Sequence, residues 1–162
     1  MQSALLLTVP AAEAAVGAHR ARLDSSARDA VPAHMTVLYP FLPPAEIGPD
    51  LLAELSLLFA GAPRFSFILN RVRWFGESVV WLGPSDESPF RALTELAAAA
   101  YPSCPPYGGA HPDTVPHLTV GHLQQEDGLY VKRPRGAGDR GPGEPAERRG
   151  RVDVHGHAHQ DG

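Results

Sequence analysis

Only one cysteine, Cys104, occurs in the 162 residues. That excludes an internal disulfide and any cluster of cysteine metal ligands. Set among prolines in YPSCPPYGG, the thiol reads as structural rather than nucleophilic. Long apolar runs are missing as well: the one near the start, ALLLTVP, is too short to span a bilayer. It also lacks the basic region and small-residue cleavage pattern of a signal peptide. The expectation is a soluble, cytoplasmic protein with no membrane partner. The body of the chain is poor in positive charge. Residues 1–127 carry 7 Arg against 13 Asp and Glu (7 − 13 = −6), while residues 128–162 carry 7 Lys and Arg against 5 acids (7 − 5 = +2). Binding along a duplex needs a basic stripe that releases counterions from many phosphates. Duplex DNA is therefore not an expected partner, and a nucleic-acid substrate would be engaged at a terminal phosphate or a short end. Neither a G-x-G-x-x-G fingerprint nor a G-x-x-x-x-G-K-[ST] loop is present, which argues against a dinucleotide fold or a P-loop.

What is present suits one domain with one real core, since 43% of the residues are hydrophobic. Strands are expected at 3–9, 34–41, 65–75, 78–83 and 117–123, from short apolar or alternating runs bounded by Pro and Gly. Helices are expected in AAEAAVGAHRARLD, with Val16, His19 and Leu23 along its inner face, at 50–60, and from Ser88 as N-cap with Pro89 at N1. The order β-α-β-α-β-β-α-β lacks the regular alternation of a parallel sheet, so the fold class is α+β with a largely antiparallel sheet.

Two stretches repeat one another. VPAHMTVLYPF (31–41) and TVPHLTVGH (114–122) each place His-x-Thr-Val on an expected strand shortly after a proline, and 83 positions (117 − 34) separate the histidines. Side chains alternate along a strand, so His34 shares a face with Thr36, and His117 shares one with Thr119. On regular strands Met35, Val37, Tyr39 and Phe41 lie on the opposite face of the first, and Tyr39 and His122 point away from the site. Histidine titrates near neutrality, so one ring can accept a proton while another donates one. Opening a 2',3'-cyclic phosphate requires both transfers, on opposite sides of phosphorus, and threonine hydroxyls can hold the non-bridging oxygens between the rings. No metal or cofactor is required. A single H-x-T is weak evidence, because a lone histidine beside apolar residues is usually a satisfied core residue. Two copies with matching parity are much harder to dismiss.

At these residues the chain resembles the two-histidine (2H) phosphoesterase superfamily, specifically its 2'-5' RNA ligase-like branch, whose hallmark is a pair of H-x-[TS]-x motifs. HMTV (34–37) and HLTV (117–120) match it, and AHMTVLYPF, PPYGG and VPHLTV are similar to bacterial members; the resemblance spans roughly residues 1–123. It implies a bilobal α+β fold with pseudo-two-fold symmetry and a central cleft to which each lobe contributes one motif. It also implies 2',3'-cyclic phosphodiesterase activity or transesterification at 2'-5' linkages, with His34 and His117 catalytic and Thr36 and Thr119 binding phosphate. The partner would be an RNA terminus or a nucleotide 2',3'-cyclic phosphate, and the protein a monomer. The alternative is a non-catalytic module that binds nucleotides or RNA ends.

Tyr107, Arg71, Arg73 and Trp74 are further candidates for substrate contact: Tyr107 from the loop before the second motif, the arginines from one strand face, and Trp74, like Trp81, by stacking. From residue 128 the character changes. The segment 128–162 holds 8 of the 16 glycines and few large apolar residues, so it is expected to be a disordered Gly/Arg/Pro/His-rich tail after a domain of residues 1–127. Relatives follow the second motif with a helix and further strands, so the second lobe is expected to lack its closing elements. HGHAH (155–159) has histidines at spacing two, a pattern that chelates metals adventitiously.

Overall fold

A computed structural model describes residues 2–111, 113–123 and 155–157. Along the chain lie β1 (Ser3–Thr8), α1 (Glu13–Leu23), α2 (Ser25–Arg28), β2 (His34–Phe41), α3 (Pro49–Ala60), β3 (Ser66–Phe75), β4 (Val79–Pro84), α4 (Ser88–Ala100), β5 (Leu118–His122) and β6 (His155–His157). The expected α+β order is observed, with the single turn of α2 and the short β6 added. The strands form two antiparallel sheets, β1–β2 and β5–β4–β3–β6.

The domain boundary expected at residue 127, and the disorder expected beyond it, lie outside the described residues except at 155–157. There the backbone pairs with Ser66–Ile68 of β3. A sheet edge offers unpaired N–H and C=O groups that accept a strand of any composition, which apolar content alone does not reveal.

Each motif strand carries a bulge at the same motif position. Leu6 pairs with Thr36 and Leu5 with Leu38, so Val37 is the extra residue in β2. Trp81 pairs with Thr119 and Val80 with Gly121, so Val120 is the extra residue in β5. A bulge puts two residues against one and shifts the alternation beyond it by one position. In β2 this bulge, with a second irregularity between Leu38 and Phe41, buries Met35, Leu38 and Phe41, not the strictly alternating set expected.

Two apolar clusters hold these strands. One joins Ala33 and Met35 ahead of and within β2 to Val16 of α1, Leu69 of β3, Leu82 of β4 and Leu118 and Val120 of β5. The other joins Leu38 and Phe41 to Leu55 of α3, Ala97 of α4 and Cys104. Each fully buried aliphatic side chain of this kind contributes roughly 1.5–3 kcal/mol. Helix α1 covers the back of β5 so closely that a Cβ on Gly121 would overlap the Cβ of Leu23. Cys104 is buried and unpaired, as its composition context suggests.

The inner face of α1 differs from the expected stripe. Val16 and Arg20 are buried, whereas His19 is exposed. Arg20 is 1% exposed, and all three guanidinium nitrogens are engaged: Nε and Nη2 donate to Asp24 Oδ2 at 3.1 and 3.0 Å, and Nη1 donates to Glu13 Oε1 at 3.0 Å. Nη2 also donates to the Val31 carbonyl at 3.2 Å. At α4 the N-cap is Glu87, one residue earlier than expected, and Ser88 opens the helix; the Asp86 carboxylate accepts the Ser88 N–H at 2.9 Å and its hydroxyl at 2.6 Å.

Candidate active site

Motif one enters β2 from a clamped segment. Glu13 Oε1, held by Arg20, accepts the backbone N–H of Ala33, and the Ala33 carbonyl accepts the N–H of Val9 at 2.7 Å. Motif two is entered in a parallel way. Arg91 of α4 pairs with Asp113, whose carboxylate accepts the backbone N–H of Thr114 at 2.9 Å. In both places an arginine on a helix fixes a carboxylate, and the carboxylate fixes the backbone just ahead of the histidine.

The two imidazoles are oriented alike. His34 Nδ1 donates to the Pro32 carbonyl at 2.8 Å, and His117 Nδ1 donates to the Val115 carbonyl at 2.7 Å. A carbonyl only accepts, so each bond places a hydrogen on Nδ1 and leaves Nε2 to take up or deliver a proton. The environments differ. The His34 bond lies at the exposed surface, while that of His117 is partly buried. Phe75 meets the His117 ring edge-on with centroids 4.8 Å apart, and Trp81 lies 5.7 Å away. Burial pulls the His117 pKa below its ordinary value; the bond to the Val115 carbonyl opposes this, and the charge of His34 adds to the lowering.

Thr36 follows His34 on β2, and Thr119 follows His117 on β5, where it pairs with Trp81. The bulges bring further residues to these faces. Val79 pairs with His122, and Val79 and Trp81 are two apart on β4, so His122 shares the face of Thr119. Tyr39, 42% exposed, shares a small cavity with Thr36, Tyr107, Thr114 and Val115. The expectation that Tyr39 and His122 point away held for regular strands, and neither strand is regular. Neither histidine of the motifs lines that cavity.

Tyr107 reaches this cavity from a turn at Pro106–Gly109 in which its own φ is +52°. A left-handed backbone at a non-glycine residue costs roughly 1–2 kcal/mol, and burial raises the Tyr107 pKa. Arg71 and Arg73 lie on the face of β3 whose cross-strand neighbours are Gly83 and Trp81, the face that continues to Thr119. Trp74 pairs with Val80 on the opposite face and is not brought to the site. Phe75, unremarked from sequence, is 37% exposed, stacks on Trp81 at 4.7 Å and abuts His117. Its spacing of two from Arg73 is a signal that could have found it.

Among the described residues no group of three or more His, Cys, Asp or Glu could hold a metal ion, and no helix is long and apolar enough to cross a membrane. The HGHAH side chains lie outside what is described.

An α+β fold with two matched His-x-Thr strands defines a protein of the two-histidine phosphoesterase class. The model of the 2'-5' RNA ligase superfamily matches residues 8–133, and the chain belongs to that superfamily. No curated protein matches it.

Proposed function

We propose that this protein is a phosphodiesterase of RNA ends or nucleotides that opens 2',3'-cyclic phosphates, with the two imidazoles supplying both proton transfers. The observation that carries this reading is the matched pair of Nδ1–carbonyl hydrogen bonds, which present two Nε2 atoms from related strands for proton exchange. Burial favours the neutral form of His117, so His117 is the base that takes a proton from water. The water oxygen bonds to phosphorus as one P–O(ribose) bond breaks. His34 Nε2–H protonates the departing ribose oxygen, leaving a phosphomonoester. Thr36 and Thr119 donate hydroxyl hydrogens to the non-bridging oxygens and hold phosphorus in line. Each proton-transfer group contributes about 10²–10⁴-fold. Afterwards His117 carries the proton and His34 lacks one, and exchange with solvent resets the pair.

The superfamily also supports a second reading, reaction at 2'-5' linkages, in which a ribose hydroxyl replaces water at the same phosphorus. The intact protein, assayed with EDTA present, should convert a nucleoside 2',3'-cyclic phosphate into one monophosphate isomer. Turnover of a 2'-5'-linked dinucleotide but not of the cyclic substrate would favour the second reading. Binding of either without product would favour a non-catalytic module.

A further inference from the structure

Across the face that carries Thr119 runs a row of cross-strand neighbours, Arg73 on β3, Trp81 on β4 and Thr119 on β5. Adjacent strands stand about 4.8 Å apart, so Arg73 Cα lies roughly 10 Å from Thr119 Cα, within reach of an arginine side chain extended toward it. The Arg73 guanidinium carbon sits 5.7 Å from the centroid of the Trp81 ring, and Trp81 touches His117. Arg71, two residues earlier on the same face, is close enough for its charge to act on Arg73.

The charge around this pair is poorly matched. One carboxylate, Glu87, is shared between two arginines: Oε1 stands 3.8 Å from Arg73 Nη1 and Oε2 3.0 Å from Arg91 Nη2. Arg71 Nη2 donates to a neutral acceptor, the Ser85 carbonyl, at 3.1 Å. Two donors on the row, Arg73 Nε and Trp81 Nε1, are buried with no hydrogen-bond partner among the described residues. Buried donors are nearly always satisfied, and two neighbouring orphans beside two like charges need an explanation. An anion supplies it, because it accepts several hydrogen bonds and relieves the repulsion between guanidinium groups. In a body with a charge balance of −6 over residues 1–127 (7 Arg, 13 acids), such a placement is not a general coating of positive charge.

We infer that Arg71 and Arg73, with the indole N–H of Trp81, form a second phosphate subsite one strand beyond the reacting phosphorus, so that the preferred substrate is an oligonucleotide end and not a mononucleotide. This rests on the reading of His34 and His117 as the reacting site. The scissile cyclic phosphate lies at Thr119 and the preceding phosphodiester lies over the arginines.

The test compares a nucleoside 2',3'-cyclic phosphate that has no other phosphate with a trinucleotide ending in the same group. The wild-type protein should favour the trinucleotide by about tenfold or more in kcat/KM, and the preference should shrink as salt rises. In Arg71→Gln and Arg73→Gln the ratio of the two substrates should fall severalfold through KM of the trinucleotide. Arg73→Lys should recover part of it, since charge is kept and the fork is lost. Equal use of both substrates by the wild-type protein, or a preference unchanged in the variants, overturns the subsite but leaves the reacting site standing. A separate binding measurement does not depend on turnover. A trinucleotide with a 3'-phosphate should bind the wild-type protein more tightly than Arg71→Gln, whose side chain is exposed and whose loss spares the core. Equal affinities overturn the inference. Failure of the wild-type protein to turn over either substrate, with this binding difference intact, counts against the proposed reaction instead.

Discussion

Val37 and Val120 hold the same place in the two halves of the molecule: each is the extra residue of a bulge, and each directly follows the threonine of its His-x-Thr motif. Because the bulge comes after the threonine, His and Thr keep their shared face while the next residues are realigned. Leu38 and Gly121 turn to the core side, and Tyr39 and His122 join the faces of Thr36 and Thr119. The symmetry thus extends beyond the four motif letters to the local backbone that aims them.

Gly121 is the point where this arrangement is tightest. A Cβ there would overlap Leu23 Cβ, an atom fixed to the backbone of α1. Gly121→Ala should therefore push the helix off β5 and cost about 1–3 kcal/mol, read as a lower urea midpoint. Gly61→Ala is the contrasting variant. Gly61 has φ −80°, and a Cβ there would meet only the Leu58 carbonyl oxygen at an ordinary 3.8 Å, so the substitution should be neutral or stabilising by about 0.4–1 kcal/mol.

The Arg20 network makes a larger prediction. Asp24 is 2% exposed, and its carboxylate is matched by the Arg20 guanidinium. Arg20→Ala would leave that carboxylate buried without its cation, at a cost of about 3–5 kcal/mol. It would also release Glu13, whose carboxylate fixes the backbone before His34. Arg91→Ala, which removes a partly exposed pair with Asp113, should cost only about 0–1 kcal/mol by the same unfolding measurement.

Much of this was legible in the sequence, and the reasons are local. Apolar runs ended by Pro or Gly marked the strands, and the His-x-Thr parity put each imidazole beside its hydroxyl. The inner face of α1 was misread because an arginine can replace an apolar residue when its charge is matched by residues from elsewhere; Asp24 and Glu13 do this for Arg20. The faces of Tyr39 and His122 were not legible, because a bulge leaves no mark in the alternation of β-branched and aromatic residues. Phe75 depends on where β3 turns its end, which is set by pairing with β4. The β6 pairing with β3 was unexpected because backbone, not side chains, makes it.

The lowered pKa of His117 gives a pH dependence with a definite sign. Its first cause is burial, which favours the neutral ring in the folded protein. The unfolded chain, with a histidine pKa near 6.5, binds the proton more readily. This contribution to stability is complete above about pH 6.5 and is lost as pH falls from there toward the folded value. Urea unfolding at pH 7.5 and 5.5 should show the loss, and His117→Asn should lack that part of the slope. In the proposed reaction, with His117 as base, the acidic limb of kcat/KM should lie below pH 6.5, because burial keeps that ring neutral to lower pH.

The most direct measurement of the central claim is turnover of a 2',3'-cyclic phosphate end by His34→Ala and His117→Ala, with folding verified by circular dichroism and binding of the 3'-phosphate product measured alongside. The account predicts that each variant folds and still binds, yet loses about 10²–10⁴-fold in kcat. Turnover near the wild-type rate in either variant would contradict it, for then that imidazole moves no proton at phosphorus.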